Sequence, residues 1–336
     1  MKSFNLLATF LLMLILLSGC ASQPDTPDTK VTKSAPPKMK REFEFTYSAD
    51  ITDIPRDAND VRIWFPIPQS DENQDISRLR INTTEGYKVY TEPVYGNKIG
   101  YIHVNVKESP PADIPLLLSF DVTRYEDHGE RNPVLLKEDA GKYLKPSRRG
   151  AITPEVEEAA SRIGQSQSEP RHRARETFRY VIDNMEYKKD GTGWGHGDTV
   201  WACSVGYGNC TDYHALFIAM SQALGVPANF EIGFPLPPGR SEGAIGGYHC
   251  WAHYYLPDRG WVPVDVSEAD KRPSLEDYFF GAHGPNRVKF TTGRDIVLEP
   301  EQQGEPLNYF IYPYVEVDGV QYDKMTLSFG FRDLKG

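Results

Sequence analysis

The feature that most constrains this chain is residues 208–227, which have the pattern of a buried helix with a cysteine in its first turn. Asn209 suits an N-cap, Asp212 suits its capping-box partner, and Gly225 followed by Pro227 ends the helix. Apolar residues recur at helical spacing at Leu216, Phe217, Met220, Ala223 and Leu224. Because the free N–H groups and the dipole of a helix N-terminus favour an anion, the pattern predicts that Cys210 is a thiolate nucleophile.

A cysteine nucleophile needs a base and a group that orients the base, and residues 248–266 supply both. This segment predicts two antiparallel strands joined by a turn at residues 257–260. His249 and Asp265 then share one face, provided that the turn has an odd number of residues or a bulge, for which Gly260 is the expected site. A two-residue turn centred between residues 258 and 259 would put them on opposite faces.

These assignments have competitors in the same segment. His253 follows His249 on the same face of the predicted strand, and Asp258 and Asp270 are rivals of Asp265. Asp258 lies in the turn and Asp270 lies beyond the strand, so both are weaker choices. A cysteine at a helix N-terminus is also often a small buried apolar residue without chemistry.

Four motifs in this order resemble the transglutaminase-like, papain-related cysteine enzymes. They are G-x-C-x-D at 208–212, L-G-x-P-A at 224–228, H-x-W at 249–251 and G-W-x-P-x-D at 260–265, with Asn229 where the family commonly has arginine. The resemblance covers roughly residues 170–270. It implies that Cys210 is the nucleophile, His249 the general base and Asp265 the residue that orients it. It also implies a second oxyanion donor upstream of the cysteine, for which Trp194 is the tentative choice.

The resemblance implies an α+β fold in which the helix bearing the cysteine packs on an antiparallel sheet. Upstream, alternating strands between residues 41 and 126 predict a small β-sandwich. We therefore predict a sandwich domain at 41–126, a catalytic domain at 127–300 and a C-terminal β-hairpin at 301–336 that turns at Asp318-Gly319. The hairpin can complete the catalytic sheet or pair with the sandwich. Two loops are expected to flank the cleft: the glycine-spaced residues 191–197, taken as mobile, and residues 234–243.

The resemblance leaves three functions open. Water as the acceptor of a Cys210 thioester gives a peptidase or amidase, and an amine gives a crosslinking transglutaminase or transpeptidase. A non-catalytic binding scaffold is the third reading. We favour hydrolysis of a peptide or protein, with cell-wall peptide or secreted protein as substrate classes.

The first 40 residues predict an envelope lipoprotein. Residues 1–19 have a basic start and an apolar run too short to span a membrane, followed by Leu17-Ser18-Gly19-Cys20, which resembles a bacterial lipobox. Cys20 would then carry the lipid, and the proline-rich residues 20–40 would be a disordered tether. Ala21, where an inner-membrane protein would commonly have aspartate, favours the outer membrane if the host is Gram-negative.

The net charge limits the class of macromolecular partner, and the number of cysteines limits the possible disulfides. With 37 basic and 47 acidic residues the chain has a net charge of −10, which argues against nucleic acid. Of the cysteines other than Cys20, Cys203 and Cys250 can form a disulfide that leaves Cys210 free. The alternatives are three free thiols or a regulatory disulfide made by Cys210. No metal-ligand spacing is present and no cofactor is expected, and the oligomeric state stays open.

Overall fold

The computed structural model describes residues 39–105, 110–129, 135–136 and 139–334. The predicted signal peptide, the lipidation site Cys20 and nearly all of the predicted tether lie outside these residues. Strand β1 begins at Lys40, the last residue of that predicted tether. Among the described residues, no helix combines the length and the apolar character that crossing a bilayer requires.

Strands and helices occur in the order expected for an α+β fold, with strands first and helices in the middle of the chain. The strands are β1 (Lys40–Ile51), β2 (Asp60–Ile67), β3 (Gln74–Thr83), β4 (Tyr87–Thr91), β5 (Lys98–Asn105), β6 (Ile114–Tyr125), β7 (Glu186–Tyr187), β8 (Tyr207–Gly208), β9 (Ala228–Pro235), β10 (Glu242–Ile245), β11 (His249–Leu256), β12 (Gly260–Val264), β13 (Arg287–Thr292), β14 (Tyr314–Val317), β15 (Val320–Gln321) and β16 (Met325–Asp333). The helices are α1 (Ala140–Leu144), α2 (Pro154–Ser166), α3 (Pro170–Asn184), α4 (Thr199–Val205), α5 (Cys210–Ala223), α6 (Val266–Lys271) and α7 (Glu276–Phe279), with a 3-10 turn at Pro273–Leu275.

The N-terminal strands form the two sheets of the predicted β-sandwich. One sheet has the order β10-β16-β1-β6-β3 and the other the order β15-β14-β2-β5-β4. Alternate residues of β1 and β6 point inward, which matches the period-two pattern of their sequences. Strand β3, which pairs with β6, was missed by the sequence analysis because most of its residues are polar or exposed.

The C-terminal strands complete this sandwich instead of the catalytic sheet. Strand β14 pairs with β2, and β16 pairs with both β1 and β10. Asp318 and Gly319 form the expected turn, but its second strand is split, because β15 ends after two residues and β16 crosses to the other sheet. Lys38–Gly336 is one compact unit. The domain boundaries at 126/127 and 300/301 remain predictions.

A four-stranded antiparallel sheet, β12-β11-β9-β13, carries the cysteine helix on one face and the sandwich on the other. Helix α5 is buried along almost its whole length, and Phe217 on it packs on Tyr254 of β11. On the opposite face, called here the sandwich side, His253 of β11 lies 3.0 Å from Asp127, just after β6. Tyr254 and His253 of β11 therefore point to opposite sides of this sheet.

Candidate active site

Cys210 is the first residue of helix α5 and is 3% exposed. The predicted capping box is present: the Asn209 side chain caps the helix, and the Asp212 carboxylate accepts the backbone N–H of Asn209 at 2.9 Å. Asp212 also explains Gly208, because a Cβ added there would lie 2.6 Å from the Cβ of Asp212. The glycine therefore makes room for the capping carboxylate.

The structure brings His249 and Asp265 to Cys210. Leu256 pairs with Gly260, so the turn between β11 and β12 contains three residues, the odd number that a shared face requires. His249 Nε2 lies 2.8 Å from Asp265 Oδ2, and His249 also forms a hydrogen bond with the Cys210 side chain. With Nε2 bound to Asp265, Nδ1 is the imidazole nitrogen left for the sulfur.

The electrostatics of the three groups favour a thiolate–imidazolium pair. Hydrogen bonds from the Cys250 and His249 side chains, with the positive charge of His249, hold the pKa of Cys210 well below its ordinary value despite burial. Burial opposes the charge of His249, but Asp265 and Cys210 outweigh it and raise the His249 pKa to about 10. Burial likewise opposes ionisation of Asp265, yet His249 and then Arg287 hold its pKa well below the ordinary range.

Asp265 is fully buried and is held from several directions. It is the N-cap of α6, where Oδ1 accepts the backbone N–H of Glu268 at 3.2 Å. The Arg287 guanidinium donates to Oδ2 at 3.2 Å and lies 4.7 Å above the ring of Trp251. Sequence analysis missed Arg287, which lies 22 residues after Asp265 on a different strand of the sheet.

His214 fixes the backbone of the site. Its Nε2 accepts the Val266 N–H at 3.0 Å, so Nδ1 carries the proton and donates to the Cys210 carbonyl at 2.7 Å. The imidazole is fully buried, and burial lowers its pKa. This neutral histidine therefore ties the first turn of α5 to the start of α6, next to Asp265. Its place one helical turn after Cys210 was the available sequence signal.

The rival residues lie elsewhere. His253 Nε2 contacts Asp127 at 3.0 Å on the sandwich side of the sheet. Asp270 accepts a hydrogen bond from the Tyr213 hydroxyl at 2.7 Å, and Asp258 is exposed in the turn.

Trp194 is not directed at the nucleophile in this structure. Its indole N–H donates to the Gly191 carbonyl at 3.2 Å, and Lys189 lies over its ring. The glycine-spaced loop around it is held in place, because Gly195 and Gly197 donate to the Asp212 carboxylate at 2.7 and 2.8 Å. The structure thus gives the Trp194 indole a partner other than an oxyanion, and the mobility of the loop remains a prediction.

Tyr187 stands where the second oxyanion donor was expected. It pairs with Gly208 in the two-stranded sheet of β7 and β8, which places it beside the start of α5. Its hydroxyl is within hydrogen-bonding reach of the Cys210 backbone N–H. Burial and the nearby cysteines raise its pKa well above the ordinary value, so the phenol keeps its proton. A two-residue strand has no periodic signal, which is why the sequence analysis did not find it.

Cys203, Cys210 and Cys250 are free thiols in the structure. Cys203 is exposed on α4, whereas Cys250 is buried on β11 with its sulfur 3.8 Å from Thr211 Oγ1 and from His214 Nδ1. Of the alternatives left open by the sequence, the structure therefore has the three free thiols, with Cys250 facing the first turn of α5.

A cleft of about 760 Å³ opens beside these residues. His249 and Tyr187, which both lie beside Cys210, belong to its wall. Residues 235–238, from the second predicted loop, line the opposite part, as does the segment 244–248 before β11. A chain of a few extended residues fits a cleft of this volume.

Residues 157–266 match the sequence model described as the transglutaminase-like superfamily. An uncharacterized protein of Haemophilus influenzae is 27% identical over 318 residues, which cover 82% of this chain and 86% of that protein. A candidate cysteine protease from Cytophaga hutchinsonii has a similar structure, with a TM-score of 0.59 at 16% identity over 89% of this chain and 94% of that one. The periplasmic domain of TgpA from Pseudomonas aeruginosa gives a TM-score of 0.35 at 15% identity over 73% and 87% of the two chains, which is too weak to support an argument. The Cytophaga structure confirms the predicted α+β fold.

Proposed function

Because this chain belongs to the transglutaminase-like superfamily, we propose that it is a cysteine hydrolase that forms a thioester on Cys210 and cleaves amide bonds of a peptide or protein. One observation carries the proposal: buried Cys210, His249 and Asp265 are in contact at the wall of a substrate-sized cleft. The same three residue types in hydrogen-bonded order form the nucleophile, base and orienting group of cysteine hydrolases.

The proposed reaction begins with the Cys210 thiolate attacking the amide carbonyl carbon. The negative oxygen is stabilised by the Cys210 N–H and by the Tyr187 O–H, which stays protonated. His249 then gives its Nδ1 proton to the leaving amine as the C–N bond breaks, and the acyl group remains on sulfur. In the second half, His249 removes a proton from water, the resulting hydroxide attacks the thioester, and the acid and the free cysteine are released.

The test is product analysis with the full-length protein in detergent. Soluble cell-wall peptides and an unfolded secreted protein are incubated with wild-type enzyme and with Cys210→Ala, and new termini are identified by mass spectrometry. New carboxyl termini that require Cys210 support hydrolysis. If the wild-type protein reacts at the thiol but cleaves nothing, the hydrolytic assignment is wrong for these substrate classes.

A labelled primary amine in the same reaction separates the hydrolase from the crosslinker. Hydrolysis predicts that the label stays free, whereas its incorporation into a glutamine peptide would identify a transglutaminase. A scaffold predicts that Cys210→Ala leaves the cellular role intact, so complementation of a deletion strain by this variant would contradict catalysis.

The proposed location is the bacterial cell envelope, with a lipid on Cys20 and the catalytic part facing the periplasm or the exterior. The proposal rests on the apolar run and the lipobox-like residues 17–20. Metabolic labelling with an alkyne fatty acid tests it, since wild-type protein should incorporate the label and Cys20→Ala should not. Equal labelling of both would place the acyl chain elsewhere.

A further inference from the structure

A buried cluster of two histidines and a carboxylate lies on the sandwich side of the catalytic sheet. It contains Asp127, just after β6, His253 on β11, and His283, which follows α7. Their ligand atoms all lie within 4.8 Å of one another, and all three residues are buried. We propose that Asp127, His253 and His283 bind a zinc ion.

The spacing of the ligand atoms suits a small divalent cation. Ligands at about 2.0–2.1 Å from a tetrahedral zinc are separated from each other by roughly 3.3 Å. Asp127 Oδ2 and His253 Nε2 are 3.0 Å apart. The His283 nitrogen lies no more than 4.8 Å from the other two ligand atoms. A movement of the His283 ring by about 1.5 Å or less would therefore bring its nitrogen to the separation of roughly 3.3 Å expected between zinc ligands. Water from the adjoining cavity would supply the fourth ligand.

His283 is the observation that points to a ligand. It is completely buried, and within the described part of the chain neither of its ring nitrogens has a hydrogen-bond partner. A buried imidazole without any partner is costly unless something binds it. Its backbone is fixed, since Asp127 and His283 exchange hydrogen bonds of 2.9 and 2.8 Å between their N–H and C=O groups. The ring is thereby held beside the other two ligands.

The groups around the cluster match the usual second layer of a metal site. Histidine ligands commonly turn their other nitrogen towards a carboxylate. His253 Nδ1 faces Glu231 Oε2 at 3.7 Å, which is an ion-pair distance but not a hydrogen bond, and Glu231 is in turn held by the Trp251 indole N–H at 2.8 Å. The second oxygen of Asp127 accepts the Gly129 N–H at 2.7 Å. Both ligands are therefore oriented from outside the cluster.

A cavity of about 230 Å³ gives an ion access to the cluster. Asp127 and His253 form part of its wall. The other charged residues lining it are Asp71, Glu72, Glu231, Arg124 and Lys289. With Asp127, four carboxylates face two cationic side chains, which favours a divalent cation. Because the ligands come from the end of the sandwich, from β11 and from the segment after α7, the ion would fasten the sandwich to the catalytic sheet.

The experiment uses the full-length protein in detergent, purified on a tag without histidines, treated with EDTA and then given ZnCl₂. We expect about one equivalent of bound zinc by mass spectrometry of the metal, and a rise in melting temperature on zinc addition. His283→Gln should abolish both. His172→Gln, at an exposed histidine on α3, is the matched control and should behave as wild type. Glu231→Gln should weaken zinc binding roughly 10- to 100-fold.

Cobalt spectroscopy keeps the proposal testable if His283→Gln does not fold. Cys210→Ala leaves the cluster intact, and its Co²⁺ complex should show the visible bands of a four-coordinate ion with nitrogen and oxygen ligands and no thiolate charge-transfer band. Absence of zinc in wild-type protein under these conditions would overturn the proposal. So would wild-type affinity in a folded His283→Gln variant, or a thiolate band in the cobalt spectrum.

Discussion

Strand β11 carries two histidines, His249 and His253, and each is bonded to a buried aspartate. His249 and Asp265 lie at the start of the strand, where the first turn of α5 brings Cys210 against the imidazole. His253 lies four residues after His249 on the same strand and is bonded to Asp127. The neighbour of this second pair is another histidine, His283. The same pair of side chains thus faces a nucleophile in one place and a set of metal-ligating atoms in the other.

The difference shows that a buried histidine–aspartate pair does not define a function by itself. In both pairs the aspartate pKa is lowered, because the neighbouring imidazole outweighs the cost of burial. Only His249 is within reach of a sulfur at a helix N-terminus and belongs to the wall of the larger cleft. The two sites therefore differ in the group beside the pair, which is Cys210 in one and His283 in the other, and in their access to substrate.

The largest difference in kcat/KM should appear when the aspartate of each histidine–aspartate pair is changed to asparagine. Asp265→Asn removes the charge that stabilises the His249 imidazolium, while the amide still fits the N-cap of α6. We expect kcat/KM to fall roughly 10³-fold. Asp127→Asn is the matched control in zinc-free protein, and because this proposed zinc ligand lies outside the catalytic contacts, the change should leave kcat/KM within about twofold.

These two variants are compared by steady-state kinetics on the substrate found above, with circular dichroism to verify folding. Equal losses in two folded variants would mean that the pairs act as one unit. An unaffected Asp265→Asn enzyme would remove Asp265 from the proposed mechanism.

The second largest effect concerns the oxyanion. Tyr187→Phe removes only the hydroxyl beside the Cys210 N–H, so kcat should fall roughly 10²-fold with little change in KM. Tyr207→Phe, on the partner strand β8 of the same two-stranded sheet, should retain wild-type kcat, because its hydroxyl contacts the Asp190 carbonyl at 3.5 Å. Identical kinetics in the two variants would exclude Tyr187 as the donor.

How much of each site the sequence predicts depends on how local its determinants are. The cap of α5 and the three-residue turn between β11 and β12 are local, and they position Cys210, His249 and Asp265. The placement of Asp127 is not local, since 126 residues separate it from His253 and no ligand spacing marks it.

The positions that the sequence did not settle differ in their physical determinants. Trp194 was chosen for its indole donor, but the donor is used by Gly191 three residues away. The sequence left the Cys203–Cys250 disulfide open beside free thiols, because composition does not reveal that Cys250 faces α5. Tyr187 belongs to a strand too short to have a period. Long-range packing therefore decided the environment of Cys250, whereas a local hydrogen bond decided that of Trp194.

The smallest effect should be on the melting temperature of His249→Gln. The pH dependence of this effect shows whether His249 is charged in the folded protein. The folded-state pKa of about 10 lies above the unfolded value of about 6.5, so the charged imidazole contributes its full stability below pH 6.5. That contribution is lost as the pH rises towards 10. The melting temperature of wild type should therefore exceed that of His249→Gln most at pH 6 and least near pH 10. Each kcal/mol of lost unfolding free energy should lower the melting temperature by on the order of 2 °C. The exposed His172→Gln variant should show no such trend in differential scanning calorimetry, and a constant or widening gap for His249→Gln would mean that His249 is neutral in the folded protein.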